Sequence, residues 1–173
     1  MIDFTTISYL KNGNSKQQEI FKILSDILIF DKLKKYTPIL TGTIPIEIDI
    51  ENSDLDIICC CKNLKEFKDE LIDYYSNQNY FEIHEKVIRG IKTIIARFIY
   101  QGYHFEIFGQ NRPVKEQEAY RHMIIEWKIL REKGEDFRQQ IIALKKQGFK
   151  TEPAFANLLG LSGDPYQELL QLE

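Results

Sequence analysis

Apolar positions along the chain follow two periods. Ile20, Phe21, Ile23, Leu24, Ile27 and Leu28 recur at helical spacing, and Asn14 or Ser15 stands where a capping residue belongs, so the pattern predicts a helix over about 15–29. A short helix over 5–12, ended near Gly13, precedes it. Pro38 returns the chain to extended structure, Ile39–Gly42 reads as a first core strand, and Asp54–Cys61 reads as a second. Leu64, Phe67, Leu71 and Tyr74 or Tyr75 then mark a helix with a polar opposite face. Tyr80–Val87, Ile91–Tyr100 and Tyr103–Phe108 are rich in β-branched and aromatic residues. Gln101 and Gly102 make a tight turn before the last of these, so two of the segments pair as a hairpin. Between the first two strands, Ile44, Ile46, Ile48 and Ile50 alternate with Pro45, Glu47, Asp49 and Glu51, a strand-like, two-faced pattern.

Beyond residue 112 the period is helical throughout. Pro113 opens a long helix to about Lys133, a second follows Gly134 and stops at Gly148, and Thr151 with Pro153 and Asp164 with Pro165 start two more. The expected fold is therefore α/β (α+β): a mixed sheet flanked by helices over residues 1–112, continued by a helical part over 113–173 of the same domain.

Composition narrows this picture. A chain of 173 residues with 43% hydrophobic content is long enough for one domain with a proper core. A formal charge of −3 and a pI near 5.7 argue against coating nucleic acid by bulk electrostatics. The three cysteines, Cys59, Cys60 and Cys61, are consecutive, which is neither a disulfide framework nor a metal-ligand spacing; they read as small buried residues closing a strand. No basic segment followed by a continuous apolar run opens the chain, and no segment approaches the roughly 18 apolar residues of a membrane span. A reduced, cytoplasmic protein is expected.

The candidate chemistry is concentrated between Leu40 and Cys60, where five carboxylates occur without a Lys or Arg. In a strand, Asp54 and Asp56 project to one face while Leu55 and Ile57 enter the core. Two carboxylates side by side repel, and a divalent cation with a preference for hard oxygen ligands, such as Mg²⁺, relieves that conflict. A lone Asp-x-Asp carries little weight, so its setting decides. Gly42 and Thr43 end the preceding strand about ten residues earlier, and Glu106 stands alone between Phe105 and Ile107 on a later strand.

This arrangement resembles the polymerase-β-like nucleotidyltransferase signature: a Gly and a small hydroxyl residue after one strand, then an acidic, apolar, acidic triplet, then a third acid on a later strand. Taken with GTIPIEID, EIFGQ, AYRHM and KTEPAFANLLGLSGDPY, the chain also resembles a small bacterial family of unknown function with a nucleotidyltransferase-like fold. The resemblance implies a two-metal Mg²⁺ site held by Asp54, Asp56 and Glu106, with Gly42 and Thr43 against the phosphates of a nucleoside triphosphate. It implies transfer of a nucleoside monophosphate to an acceptor hydroxyl on a small molecule, a protein or an RNA end. The segment Ile44–Ser53 departs from the signature, because a strand-like alternation stands where that superfamily has a short helix. Two other readings use the same scaffold: a catalytically inactive nucleotide-binding or protein-interaction module, and a pyrophosphate transferase or other metal-dependent phosphotransfer enzyme. His104, two residues before Glu106 on one strand face, is the best placed of the three histidines to line a site, although a surface or core role is the favoured reading; Arg97, Arg112 and Arg121 read individually as ion-pair partners.

Overall fold

The computed structural model describes residues 2–173. By their internal contacts these residues form two compact units: one runs to Thr41 and resumes over Asp54–Gln117, and the other takes Gly42–Ser53 and Glu118–Glu173.

The first unit holds the sheet. Its strands are β1 (Ile39–Thr41), β2 (Leu55–Cys60), β3 (Asn79–Ile88), β4 (Ile91–Tyr100) and β5 (Tyr103–Gln110), in the spatial order β1-β2-β5-β4-β3. The pairing is mixed: β2 and β5 run parallel, and every other pair is antiparallel. The Gln101–Gly102 turn joins β4 to β5 with Gly102 at a φ of +83°, the left-handed region that favours glycine. Two helices precede the sheet, α1 (Ser15–Asp26) and the single turn α2 (Ile29–Lys32). The expected helix over 15–29 is thus interrupted at Leu28, whose φ of +57° leaves the right-handed helical region. At the start of α1, Asn14 and Gln17 cap each other reciprocally, satisfying two amide donors that the helix leaves free.

Helix α3 (Leu64–Tyr75) follows β2, is capped by Asn63 and packs on β3, β4 and β5. Its Phe67 lies so close to Gly109 of β5 that a Cβ there would come within 2.1 Å of the ring, which excludes any larger residue at that position. Tyr75 stacks on Phe98 at 5.0 Å between ring centroids, and Phe98 on Phe105 at 4.8 Å. This aromatic column packs on one face of the sheet, and the opposite face carries Asp56, Glu106 and Arg97 together with buried Ile58 and Ile95. Cys59 and Cys61 are fully buried, as their position at the end of an apolar strand predicts.

The second unit is helical: α4 (Glu118–Lys133), α5 (Glu135–Lys146), α6 (Thr151–Leu159) and α7 (Pro165–Leu170). The helix expected to open at Pro113 starts later, after a 3₁₀ turn at Val114–Glu116. The segment 44–53 corrects the sequence reading: it forms consecutive turns, not a strand. Ile44, Ile46 and Ile48 are buried as the alternation implies, but the backbone carbonyls find cations and not a neighbouring strand. Arg138 Nη1 donates to the Ile46 carbonyl at 2.5 Å and to that of Glu47 at 3.1 Å, and the Lys145 ammonium donates to the Ile48 carbonyl at 2.7 Å. Backbone carbonyls without a strand partner accept other strong donors within reach, here side chains of α5.

Candidate functional site

One rung of the sheet carries the acids. Register places Thr41 of β1 opposite Asp56 of β2, Asp56 opposite Glu106 of β5, Glu106 opposite Arg97 of β4, and Arg97 opposite Glu82 of β3. Residues in register project to the same face, so five strands present a row of hydroxyl, carboxylate, carboxylate, guanidinium and carboxylate. Local sequence enforces this: Leu55, Ile57 and Cys59 of β2 and Phe105, Ile107 and Gly109 of β5 are buried, which turns Asp56 and Glu106, both half-buried, to the opposite side. Asp54 stands one residue before β2 and is exposed.

Arg97 grips Glu106. Its Nε donates at 2.7 Å and its Nη2 lies at 2.5 Å, both on the same carboxylate oxygen, Oε2. The pair is partly exposed, with 46% of the arginine side chain and 30% of the glutamate side chain in contact with solvent. Such a pair contributes at most about 1 kcal/mol and exchanges partners readily. Beside it opens a pocket of about 400 Å³ lined by Asp54, Glu106, Arg97 and His104, and on the β3 side by Tyr80 and Glu82.

Carboxylate oxygens are the donor type that a hard divalent cation takes, and Asp56 beside Glu106, with Asp54 two residues before Asp56, suits Mg²⁺ in chemistry. In arrangement the fit is partial. Among the described residues no group of three or more His, Cys, Asp or Glu side chains is disposed to hold a metal ion, and Glu106 is already engaged by Arg97. A cation at this site would share the Glu106 carboxylate with Arg97 or displace the guanidinium from Oε2.

Gly42 and Thr43 belong to the second unit. Gly42 has a φ of +82°, where glycine is favoured. The Thr43 hydroxyl donates to Ser53 Oγ at 3.2 Å, and that oxygen accepts the Ile50 amide at 2.9 Å, so the hydroxyl expected to meet phosphate closes the 44–53 turn in this structure.

The second unit also holds acids that the sequence reading did not single out. Glu126 is 4% exposed, and its Oε1 has no hydrogen-bond partner. Burial, reinforced by the Glu152 carboxylate and only partly opposed by Lys145, pushes its pKa up to about 8. One turn earlier on α4, His122 meets the Tyr166 carbonyl through Nε2 at 2.9 Å and Glu152 through Nδ1 at 3.5 Å. The four-residue spacing of His122, Glu126 and Leu130 was the available signal, because it places the acid on the buried stripe of its helix. Tyr80, Glu82 and the engagement of Arg97 were missed for a different reason: each depends on strand register.

The fold is that of the nucleotidyltransferases. Among solved structures, the Cid1 poly(U) polymerase bound to MgGTP superposes with a TM-score of 0.55 at 11% identity over 80% of this chain and 46% of its own. The same enzyme with Mg 3′-dATP gives 0.56 at 13% identity over 90% and 48%. The polymerase core of TRAMP, an RNA surveillance complex, gives 0.51 at 13% identity over 94% and 50%. The chain thus spans about half the length of the solved structures it matches. Within this fold the chain belongs to the family described as a domain of unknown function, DUF4269, whose model matches residues 22–172. No curated protein sequence matches it. Among the described residues no helix is long and apolar enough to cross a membrane.

Proposed function

We propose that the protein is a Mg²⁺-dependent nucleotidyltransferase that moves a nucleoside monophosphate from a nucleoside triphosphate to an acceptor hydroxyl. The observation that carries this reading is the rung: Asp56 and Glu106 adjacent on parallel strands, with Asp54 and Glu106 lining one pocket. Asp54, Asp56 and Glu106 are the proposed metal ligands, and Gly42 and Thr43 the proposed phosphate contacts. Bound Mg²⁺ supplies neutralisation of the triphosphate charge and lowers the pKa of a coordinated hydroxyl. In the transfer the acceptor oxygen bonds to the α-phosphorus, the bond from that phosphorus to the bridging oxygen breaks, and its electron pair leaves with pyrophosphate. The hydroxyl proton passes to solvent or to a site carboxylate. The solved poly(U) polymerase of this fold, bound to MgGTP and to Mg 3′-dATP, supports the metal and the nucleotide.

A second reading, a nucleotide-binding or protein-interaction module without catalysis, is favoured by the Arg97–Glu106 pair, because it occupies the third proposed ligand. Pyrophosphate release from a panel of nucleoside triphosphates, with and without Mg²⁺, separates the two readings. The transferase releases pyrophosphate only with the metal, and Asp54→Asn and Asp56→Asn each reduce turnover at least about a hundredfold. Mg²⁺-dependent nucleotide binding without turnover on any acceptor favours the module.

A further inference from the structure

The two edges of the sheet differ. In the order β1-β2-β5-β4-β3, β1 is three residues long and buried, whereas β3 is ten residues long, mostly exposed, and borders no strand on its outer side. Among the described residues the two most exposed large apolar side chains, Tyr80 at 81% and Val87 at 67%, both lie on β3. A bulge between Asn79 and Glu82 bends the start of this strand, and its pairing with β4 is regular from Glu82 to Ile88. A long regular edge offers free amides and carbonyls to another strand. The charges along this one decide which strand can join it.

Backbone parity limits the choice. Arg89 and Gly90 form the two-residue turn into β4 with φ of +49° and +80°, so the flanking Ile88 and Ile91 exchange hydrogen bonds with each other. Bonded pairs alternate with non-bonded ones along an antiparallel ladder. His84 and Lys86 therefore direct their backbone groups to β4, and Ile83, Glu85 and Val87 turn theirs outward. Two copies of β3 related by a two-fold axis must set outward groups against outward groups, so the axis passes through a residue and not between two. An axis at Glu82, Glu85 or Lys86 puts like charges face to face, and one at Ile83 leaves Lys86 opposite Tyr80. An axis at His84 sets Glu82 opposite the partner's Lys86 at both ends of the seam, and Val87 opposite the partner's Phe81.

We propose that β3 pairs antiparallel with β3 of a second copy of this chain, centred on His84, joining two five-stranded sheets into one. The assembly is closed: each copy uses its one long free edge, and the short buried β1 offers no place for a third. The polar row along the sheet continues across the seam, from Arg97 and Glu82 to the partner's Lys86. Because Glu82 lines the pocket beside Glu106, the partner's Lys86 stands at the rim of that pocket. This pairing does not rest on the transferase reading.

Sedimentation equilibrium of the full chain tests it, with circular dichroism to show that each variant stays folded. Wild type is expected to show a monomer–dimer equilibrium in the micromolar range. Glu85→Pro removes an outward amide without touching the β4 ladder and is expected to leave monomer alone. Lys86→Glu, at an exposed position, is expected to weaken the dimer about tenfold, because symmetry doubles each contact, and adding Glu82→Lys to it recovers affinity to within about threefold of wild type. Position 84 reads the register: two cysteines facing each other at the axis are close enough for a disulfide, so mild oxidation links copies of His84→Cys. Glu85→Cys faces the partner's Ile83 and does not link, and neither does wild type, whose own cysteines are buried or half-buried. A dimer that survives Glu85→Pro, a charge swap that recovers nothing, or linkage at position 85 in place of 84 would overturn the proposal. So would a wild type that stays monomeric, which leaves the edge to an extended segment of another protein.

Discussion

Two acids of this chain, one in each unit, meet opposite fates. Glu106 sits half-buried on a strand face, paired with a guanidinium, whereas Glu126 sits on the buried stripe of α4 with one oxygen unpartnered and a pKa near 8. The first arrangement costs little to build and exchanges partners; the second holds a proton at neutral pH. A carboxylate able to take up a metal belongs to the first kind, because a ligand must shed its present partner at small cost. A carboxylate of the second kind affects folding first. Residue type alone does not distinguish them, and the surrounding dielectric does.

The largest expected effect concerns Glu126. Its folded pKa of about 8 lies above the ordinary value of 4.5, so the folded chain holds a proton that the unfolded chain releases. The stability associated with this group is therefore fully present below about pH 4.5, falls as pH rises, and levels off above about pH 8. The full span is on the order of 5 kcal/mol. The groups that face it are Glu152, which strengthens the effect, and Lys145, which weakens it; His122 contacts the same Glu152. Urea midpoints of wild type and Glu126→Gln across this range check the prediction: the variant removes most of the decline, and equal slopes would place Glu126 with the solvated acids.

Next comes the exchange of Arg97. If Glu106 is available only when the guanidinium lets go, Arg97→Gln raises affinity for Mn²⁺ in the absence of nucleotide by about fivefold to tenfold, read by electron paramagnetic resonance of the free ion. An unchanged affinity would mean that Glu106 is shared with Arg97 or takes no part in cation binding. The smallest effect is on stability: Glu106→Gln shifts the urea midpoint by less than about 1 kcal/mol equivalent, in contrast with Glu126.

Much of the sheet unit was legible because its signals are local. Leu64–Tyr75 is helical over the span its apolar spacing indicates, and Leu55–Cys60 forms a strand with Asp56 turned away from the core. The turn segment after Gly42 was not, because its isoleucines are buried as the alternation implies while its carbonyls are satisfied by Arg138 and Lys145, more than ninety positions away. Alternation reports burial, and a strand also requires a partner that no short window reveals. For the candidate site, Asp54, Asp56 and Glu106 are proposed from the resemblance, and β2–β5 register sets Asp56 beside Glu106. Arg97 opposite Glu106, and Tyr80 displaced by a bulge, required the register of β3, β4 and β5.

The central claim is that the carboxylate rung binds a metal–nucleotide complex. Calorimetric titration of MgATP, MgGTP, MgUTP and MgCTP into wild type and Asp56→Asn tests it most directly, because Asn retains the shape of the side chain while removing its charge and one of its two ligating oxygens. The account predicts that at least one nucleotide binds the wild type only when Mg²⁺ is present, and that Asp56→Asn, with an unchanged circular dichroism spectrum, loses that binding at least about tenfold. Equal affinity in the two proteins, or no binding of any nucleotide to the wild type, would contradict it.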